Sequence, residues 1–315
     1  MWQTIEQMAP YAVGYTIPIL AAALGGLFSE RSGIINIGLE GLMVVGSFVG
    51  GISVYYFGPS MGNLRAAWLG ILLAMAAGIL FSVLHAFASI NLGANQTISG
   101  TAINLLAGAL VLYISRRFVG TGNIVVNSMT RVDIPLGKDI PIIGSLFLTD
   151  TYPTTWFVLA ILLIGWYVIE KTPFGLRLRA CGEYPEAADA AGINVARIRY
   201  AGVLISGALA GLGGAIYTVT TAGQSNGSVD GLGFLALAGL IFGQWRIFRV
   251  LAATLFFGFA VTMAQISMLL PSFASIPPLA LKVFPYVVTL LALVVFSKSS
   301  QAPRAEGREF AYKKN

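Results

Sequence analysis

Between Arg65 and Arg116 the chain runs for 50 residues without a single Asp, Glu, Lys or Arg. A bilayer core is crossed by about 20 apolar residues of helix, so this run must hold two spans joined by an uncharged turn. Further charge-free runs cover residues 7–29, 41–64, 151–169, 200–229 and 250–281. Only 10% of the residues are charged, against roughly 25% in a soluble domain, and 57% are hydrophobic. The expected fold class is therefore all-α, a polytopic transmembrane helical bundle of about nine to ten spans.

Apolar windows bounded by Gly, Pro, Asn or charge predict helices near 9–28, 34–57, 65–88, 96–115, 153–170, 198–221, 230–243, 247–270 and 278–297. The window 230–243 is too short to cross alone and reads as a re-entrant or broken helix lying against protein. Most of the 19 basic residues fall on one side if 171–197 is a cytoplasmic loop: Arg31, Lys171, Arg177, Arg179, Arg197, Arg199, Arg246 and Arg249, and five more beyond 297. The positive-inside bias then places the C-terminus in the cytoplasm. Nine crossings put the N-terminus outside and ten put it inside. Residues 1–297 read as one transmembrane domain, with 116–152 an external loop carrying a short helix at Ile142–Leu148. The polar stretch 298–315 is expected to be a disordered cytoplasmic tail.

Several function classes fall on composition. Cys181 is the only cysteine and His85 the only histidine, so no intramolecular disulfide, His-dependent zinc site or hydrolase triad is expected. The start Met1-Trp2-Gln3-Thr4-Ile5-Glu6 lacks the basic region of a cleaved signal peptide, so the first span is expected to stay attached. The net charge of +6 reflects cytoplasmic loop bias rather than nucleic acid binding.

The 37 glycines include the i, i+4 pairs Gly46/Gly50, Gly207/Gly211 and Gly239/Gly243, the spacing that lets helices pack closely in lipid. Polar residues at membrane depth carry more chemistry. Asn36 and Glu40 stand four apart, on one helix face. An intramembrane Glu faces the bundle interior or a water-filled cavity; Glu40 either lines a solute path, caps a neighbouring broken helix, or pairs with Arg31. Amides and hydroxyls gather again at Asn91, Asn95, Gln96, Thr97, Ser99, Thr101 and Asn104, with no carboxylate or base among them. Such a set either ties helices together or binds a neutral hydrogen-bonding solute. Asn36, Glu40, Gln96, Ser99 and Asn104 are the candidate path residues. On the basic side, Pro185 suits the first turn of a short helix and Gly192 its end, with Glu186, Ala187, Ala188, Asp189, Ala190 and Ala191 between. A helix this short is marginal in water, and its acidic first turn and small side chains fit a docking element.

At this loop the sequence resembles the permease subunits of ABC importers. Glu186-Ala187-Ala188 followed by Gly192 resembles their EAA motif, whose helix couples the permease to the ATP-binding subunit. The string TPFGLRLRACGEYPEAADAAGINVARIRYAGVLISGALAGLGGA, residues 172–215, is similar to permeases of the branched-chain amino acid and ribose importers. LFSERSGIINIGLEGLM at 27–43 and ANQTISGTAINLLA at 94–107 resemble the nucleoside-type branch, whose members are often labelled simple-sugar permeases. The likeness runs from about residue 10 to 297 and departs from the family at Cys181, where an aliphatic residue is more usual. It implies a transport subunit and not an enzyme, with no cofactor of its own. ATP and Mg would sit on a partner ATPase, and this chain has no GxxxxGK[ST] phosphate loop. The implied partners are that ATP-binding subunit, a second and different permease, an extracellular solute-binding lipoprotein and a small polar solute. The implied place is the bacterial plasma (inner) membrane. Pro185, Glu186, Ala187, Ala188 and Gly192 would form the coupling element, and closure of the ATPase would drive alternating access. Nucleosides are the first expectation for the solute, then ribose or another simple sugar, then branched-chain amino acids. An ion-coupled secondary transporter is the rival, and it would normally need more intramembrane carboxylates than Glu40 and Asp230.

Overall fold

A computed structural model describes residues 2–127, 129–133, 149–266 and 301–308, with Phe310 and four positions between 280 and 287. The expected short helix at 142–148 lies outside the described residues, as does nearly all of the last expected span. The described helices are α1 (Trp2–Arg31), α2 (Leu39–Met61), α3 (Asn63–Ala86), α4 (Gln96–Phe118), α5 (Pro153–Lys171), α6 (Pro173–Glu183), α7 (Pro185–Ala190), α8 (Val195–Tyr217), α9 (Leu232–Phe242) and α10 (Ile247–Ile266). Seven of them, α1 to α5, α8 and α10, are long and apolar enough to span a membrane. The only strands among the described residues, β1 (Ile124–Val125) and β2 (Gln224–Ser225), form one short antiparallel pair. The chain is a multi-pass helical bundle.

The apolar segments of α1 and α8 are 94% and 89% buried, whereas that of α4 is 22% buried. Helix α8 is therefore the central post, wrapped by α1, α2 and α3, and α4 lies at the periphery. Small residues permit this packing. Gly46 lies against the backbone of Gly211, Gly207 against Gly78 and Ser82, and Gly50 against Ala215, so a side chain at any of them would strike backbone or a packed neighbour. The Gly46/Gly50 and Gly207/Gly211 spacings are thus helix contacts.

Two crossings are broken near mid-depth. The apolar window from 34 predicts helix, but residues 32–38 are irregular and α2 starts only at Leu39. Asn36 donates to Ser206, which stands eleven residues into α8 and hence about 16 Å along it. Helix α9, also eleven residues and about 16 Å long, begins beside Glu40 and ends where Trp245 donates to Glu30. The short window at 230–243 is accordingly half a crossing.

The ends of α1 and α5, the start of α8, and α6 and α7 share one face. The β1–β2 pair and the start of α1 lie at the other. The segment expected to be a disordered tail is seated on the first face over 301–308. Ala305 N–H donates to Gly182 O at 2.8 Å, Gly307 N–H to Gly33 O at 3.2 Å, and Gln301 N–H to the Gln244 side chain at 2.8 Å. Pro303 and Ala305 are buried there, small enough to fit between α1 and α6. Polar composition alone hides such a fit.

Candidate functional site

The loop between α5 and α8 is built from helix-capping chemistry. Thr172 accepts from Gly175 N–H at 3.2 Å to open α6, with Pro173 in the first turn. Pro185 then opens α7, and the helix stops at Gly192, whose φ of +80° only glycine adopts without strain. Ile193 N–H donates to Ala188 O at 3.0 Å and Gly192 N–H to Asp189 O at 2.9 Å, the paired bonds of a Schellman cap. Pro185 and Ala188 turn inward, Ala188 packing with Cys181 and Val195, while Glu186, Ala187, Asp189 and Ala190 are exposed. The five coupling candidates thus lie on one short helix and its C-terminal cap, presenting a small, acidic outer surface. Burial pushes the Cys181 thiol up to about 11, so it behaves there as the small apolar residue usual at that position.

The five candidate path residues come together around the irregular segment 32–38. Gln96 accepts from Ile35 N–H at 2.7 Å. Asn104 accepts from Gly41 N–H at 2.7 Å and donates to Ile37 O at 2.9 Å. Ser99 contacts His85 Nδ1 at 3.0 Å, and His85 Nε2 meets Ile35 O at 2.9 Å. Non-helical backbone at membrane depth needs such partners, because no water is there to supply them. His85, to which the sequence assigned no role, is part of this seam. Its signal was its position, one imidazole inside a charge-free run.

Glu40 caps the broken helix α9. Its two carboxylate oxygens accept from Gly231 N–H at 3.0 Å and Gly233 N–H at 2.7 Å, at the start of α9. A negative group at a helix N-terminus satisfies free amides and complements the dipole. No ion pair joins it to Arg31, which donates instead to Trp245 O at 2.7 Å. Asn36 differs from the other four: its Oδ1 is buried with no hydrogen-bond partner among the described residues.

At the opposite face a cavity of about 310 Å³ opens among Tyr11, Tyr15, Arg131, Tyr152, Thr221 and Gln265. Arg131 lies over the rings of Tyr11 and Tyr152, 4.5 and 5.0 Å from their centroids, and pairs with Asp150 at 2.6 Å. Sequence reading missed this pocket because its residues come from separate stretches of the chain, between Tyr11 and Gln265, and only folding unites them.

Residues 8–293 match the family described as branched-chain amino acid transport system, permease component. The chain is 44% identical over 308 residues, 97% of its length and 96% of the relative's, to the guanosine ABC transporter permease protein NupQ of Bacillus subtilis. It is 40% identical, over 96% of each chain, to the nucleoside ABC transporter permease protein NupC of Lactococcus lactis. A weaker relation, 28% identity over 82% of this chain and 72% of the relative, joins it to the guanosine ABC transporter permease protein NupP of Bacillus subtilis. With a family match across nearly its whole length and two relatives at 40% identity or more over 96% or more of each chain, the chain belongs to the permease components of the branched-chain amino acid transport system family.

Proposed function

We propose that the chain is one permease subunit of an ATP-driven importer and that the solute it moves is a nucleoside. The observation that carries the coupling half is α7, a helix opened by Pro185 and closed by a Schellman cap, whose exposed face is Glu186, Ala187, Asp189 and Ala190. Of α6, α7 and α8, the described helices of that loop, only α7 has an acid in its first turn. A cytoplasmic ATP-binding subunit holding ATP and Mg would grip it, and ATP would drive the transition by binding the two conformations of the complex with different affinity. On this reading that face, and the stretch 301–308 seated on it, are in the cytoplasm of a bacterial inner membrane, as the basic residues favour.

The solute half rests on the relatives named for guanosine and nucleosides, and on the chemistry of the bundle. The aromatic pocket at Tyr11, Tyr15 and Tyr152 is the entrance, fed by an extracellular solute-binding lipoprotein. Asn36, Glu40, Gln96, Ser99 and Asn104 form the polar wall beneath, with Asn36 Oδ1 the free acceptor for a solute donor. Existence of two unlike permeases in the Bacillus relatives supports a second, different permease as partner. An ion-coupled mechanism finds less support, since both oxygens of Glu40 already serve α9.

The test is uptake of labelled guanosine and uridine by cells whose own nucleoside uptake has been deleted, with this chain and its neighbouring importer genes restored. Competition by excess unlabelled nucleoside, and none by ribose, glucose or leucine, is expected. Displacement by ribose or leucine instead would reassign the solute.

A further inference from the structure

On the face that carries α7, a second and larger cavity of about 560 Å³ is bounded by the ends of α1 and α5 and the start of α10. Four of its lining residues are cations: Arg31, Lys171, Arg246 and Arg249. Its one carboxylate, Glu170, is already paired with Arg179 at 3.0 Å. None of the four cations is in an ion pair among the described residues, and Arg31 Nε is buried there without an acceptor. Glu170, Glu183 and Glu306 offset part of the charge around Arg31, but Lys171, Arg246 and Arg249 leave the cavity cationic and suited to an anion.

The remaining walls say which kind. Trp166 and Phe248 bring α5 and α10 together, their ring centroids 6.0 Å apart, and Lys171 Nζ stands 6.0 Å from the Trp166 ring. A tryptophan with basic residues at the ends of apolar spans marks the level of lipid headgroups. From that level, exposed apolar residues run up both helices at helical spacing, Leu163 and Tyr167 on α5 and Leu255 and Phe259 on α10. The cavity is therefore polar and cationic at its base and continues into two lipid-facing surfaces.

We propose that this cavity binds the phosphodiester headgroup of an anionic phospholipid, its acyl chains lying along α5 and α10. A free phosphate would satisfy the cations but would leave the aromatic and aliphatic walls unused. Occupancy would join the end of α1, through Arg31, to the α9–α10 turn, next to the coupling loop.

The decisive experiment titrates the delipidated full-length chain in detergent with phosphatidylglycerol, phosphatidylcholine or inorganic phosphate, and counts bound lipid by native mass spectrometry. One saturable phosphatidylglycerol per chain is expected, with no comparable phosphatidylcholine adduct and no displacement by inorganic phosphate. Lys171→Gln with Arg249→Gln should weaken that adduct roughly 25-fold, about five-fold per cation removed. The charge-conserving pair Lys171→Arg and Arg249→Lys should keep it. Equal retention of phosphatidylcholine, displacement by inorganic phosphate, or an undiminished adduct in the Gln variant would overturn the lipid assignment, and the three wild-type arms decide even if that variant fails to fold.

Discussion

A carboxylate in the middle of an apolar bundle is a demand for partners, and Glu40 meets it with the amides of Gly231 and Gly233. Replacing Glu40 with Ala leaves those amides open at mid-depth, which costs about 2 kcal/mol from a lost cap and unsatisfied donors. A lower thermal midpoint in detergent is expected, with Glu40→Gln losing less because one acceptor oxygen remains. An unchanged midpoint for Glu40→Ala would deny the capping role. Glu306 in the seated tail makes a second residue-scale prediction. Burial raises its carboxyl to about 7, beside Glu30 and Arg31. A carboxyl raised in the docked state favours docking fully below its free value near 4.5, and that contribution is lost as pH rises through about 7. Amide protection of residues 301–308, taken relative to the intrinsic exchange rate at each pH, should therefore be greater at pH 5 than at pH 8, and Glu306→Gln should flatten that difference in protection. Here the sequence offered Glu40 as a cap among three options. It offered nothing for Glu306, because the contact that buries it spans the length of the chain.

At the scale of elements, legibility followed how local the cause was. The span windows were visible because charge cannot lie in lipid, and the short window at 230–243 announced α9 by its length alone. Helix α7 was readable end to end, from Pro185 to Gly192, because caps are written in neighbouring residues. The start of α2 was not. Ile34, Ile35 and Ile37 continue the apolar pattern, while the bonds that hold 35–37 out of a helix come from Gln96, His85 and Asn104, about 50 to 67 positions away. The prediction proper to this scale concerns α7. Glu186 is exposed, so Glu186→Arg should leave folding and membrane insertion unchanged yet abolish energised uptake by reversing the charge at the helix start. Wild-type uptake by that variant would contradict the coupling assignment.

For the whole molecule, the start of α1 and the tail over 301–308 lie at opposite faces, which requires an odd number of crossings between them. Of the two expected counts, nine agrees with that and with a start of α1 on the side away from α7. The irregular segment 32–38 leads to Glu40, and the half-crossing helix α9 begins at it, in the centre of the bundle. Irregular backbone at mid-depth that is held by side chains can exchange partners, as a transporter that opens alternately to two sides requires. On the proposed reading the chain supplies the path and the lever, and a partner subunit supplies the nucleotide site. Its central claim is thus a claim about company. The tagged chain should be extracted gently from its native membrane and everything that copurifies identified by mass spectrometry. Recovery of an ATP-binding subunit together with a second, different permease is the predicted result. Reproducible recovery of this chain alone, in several detergents, would contradict the account and point to a self-sufficient transporter.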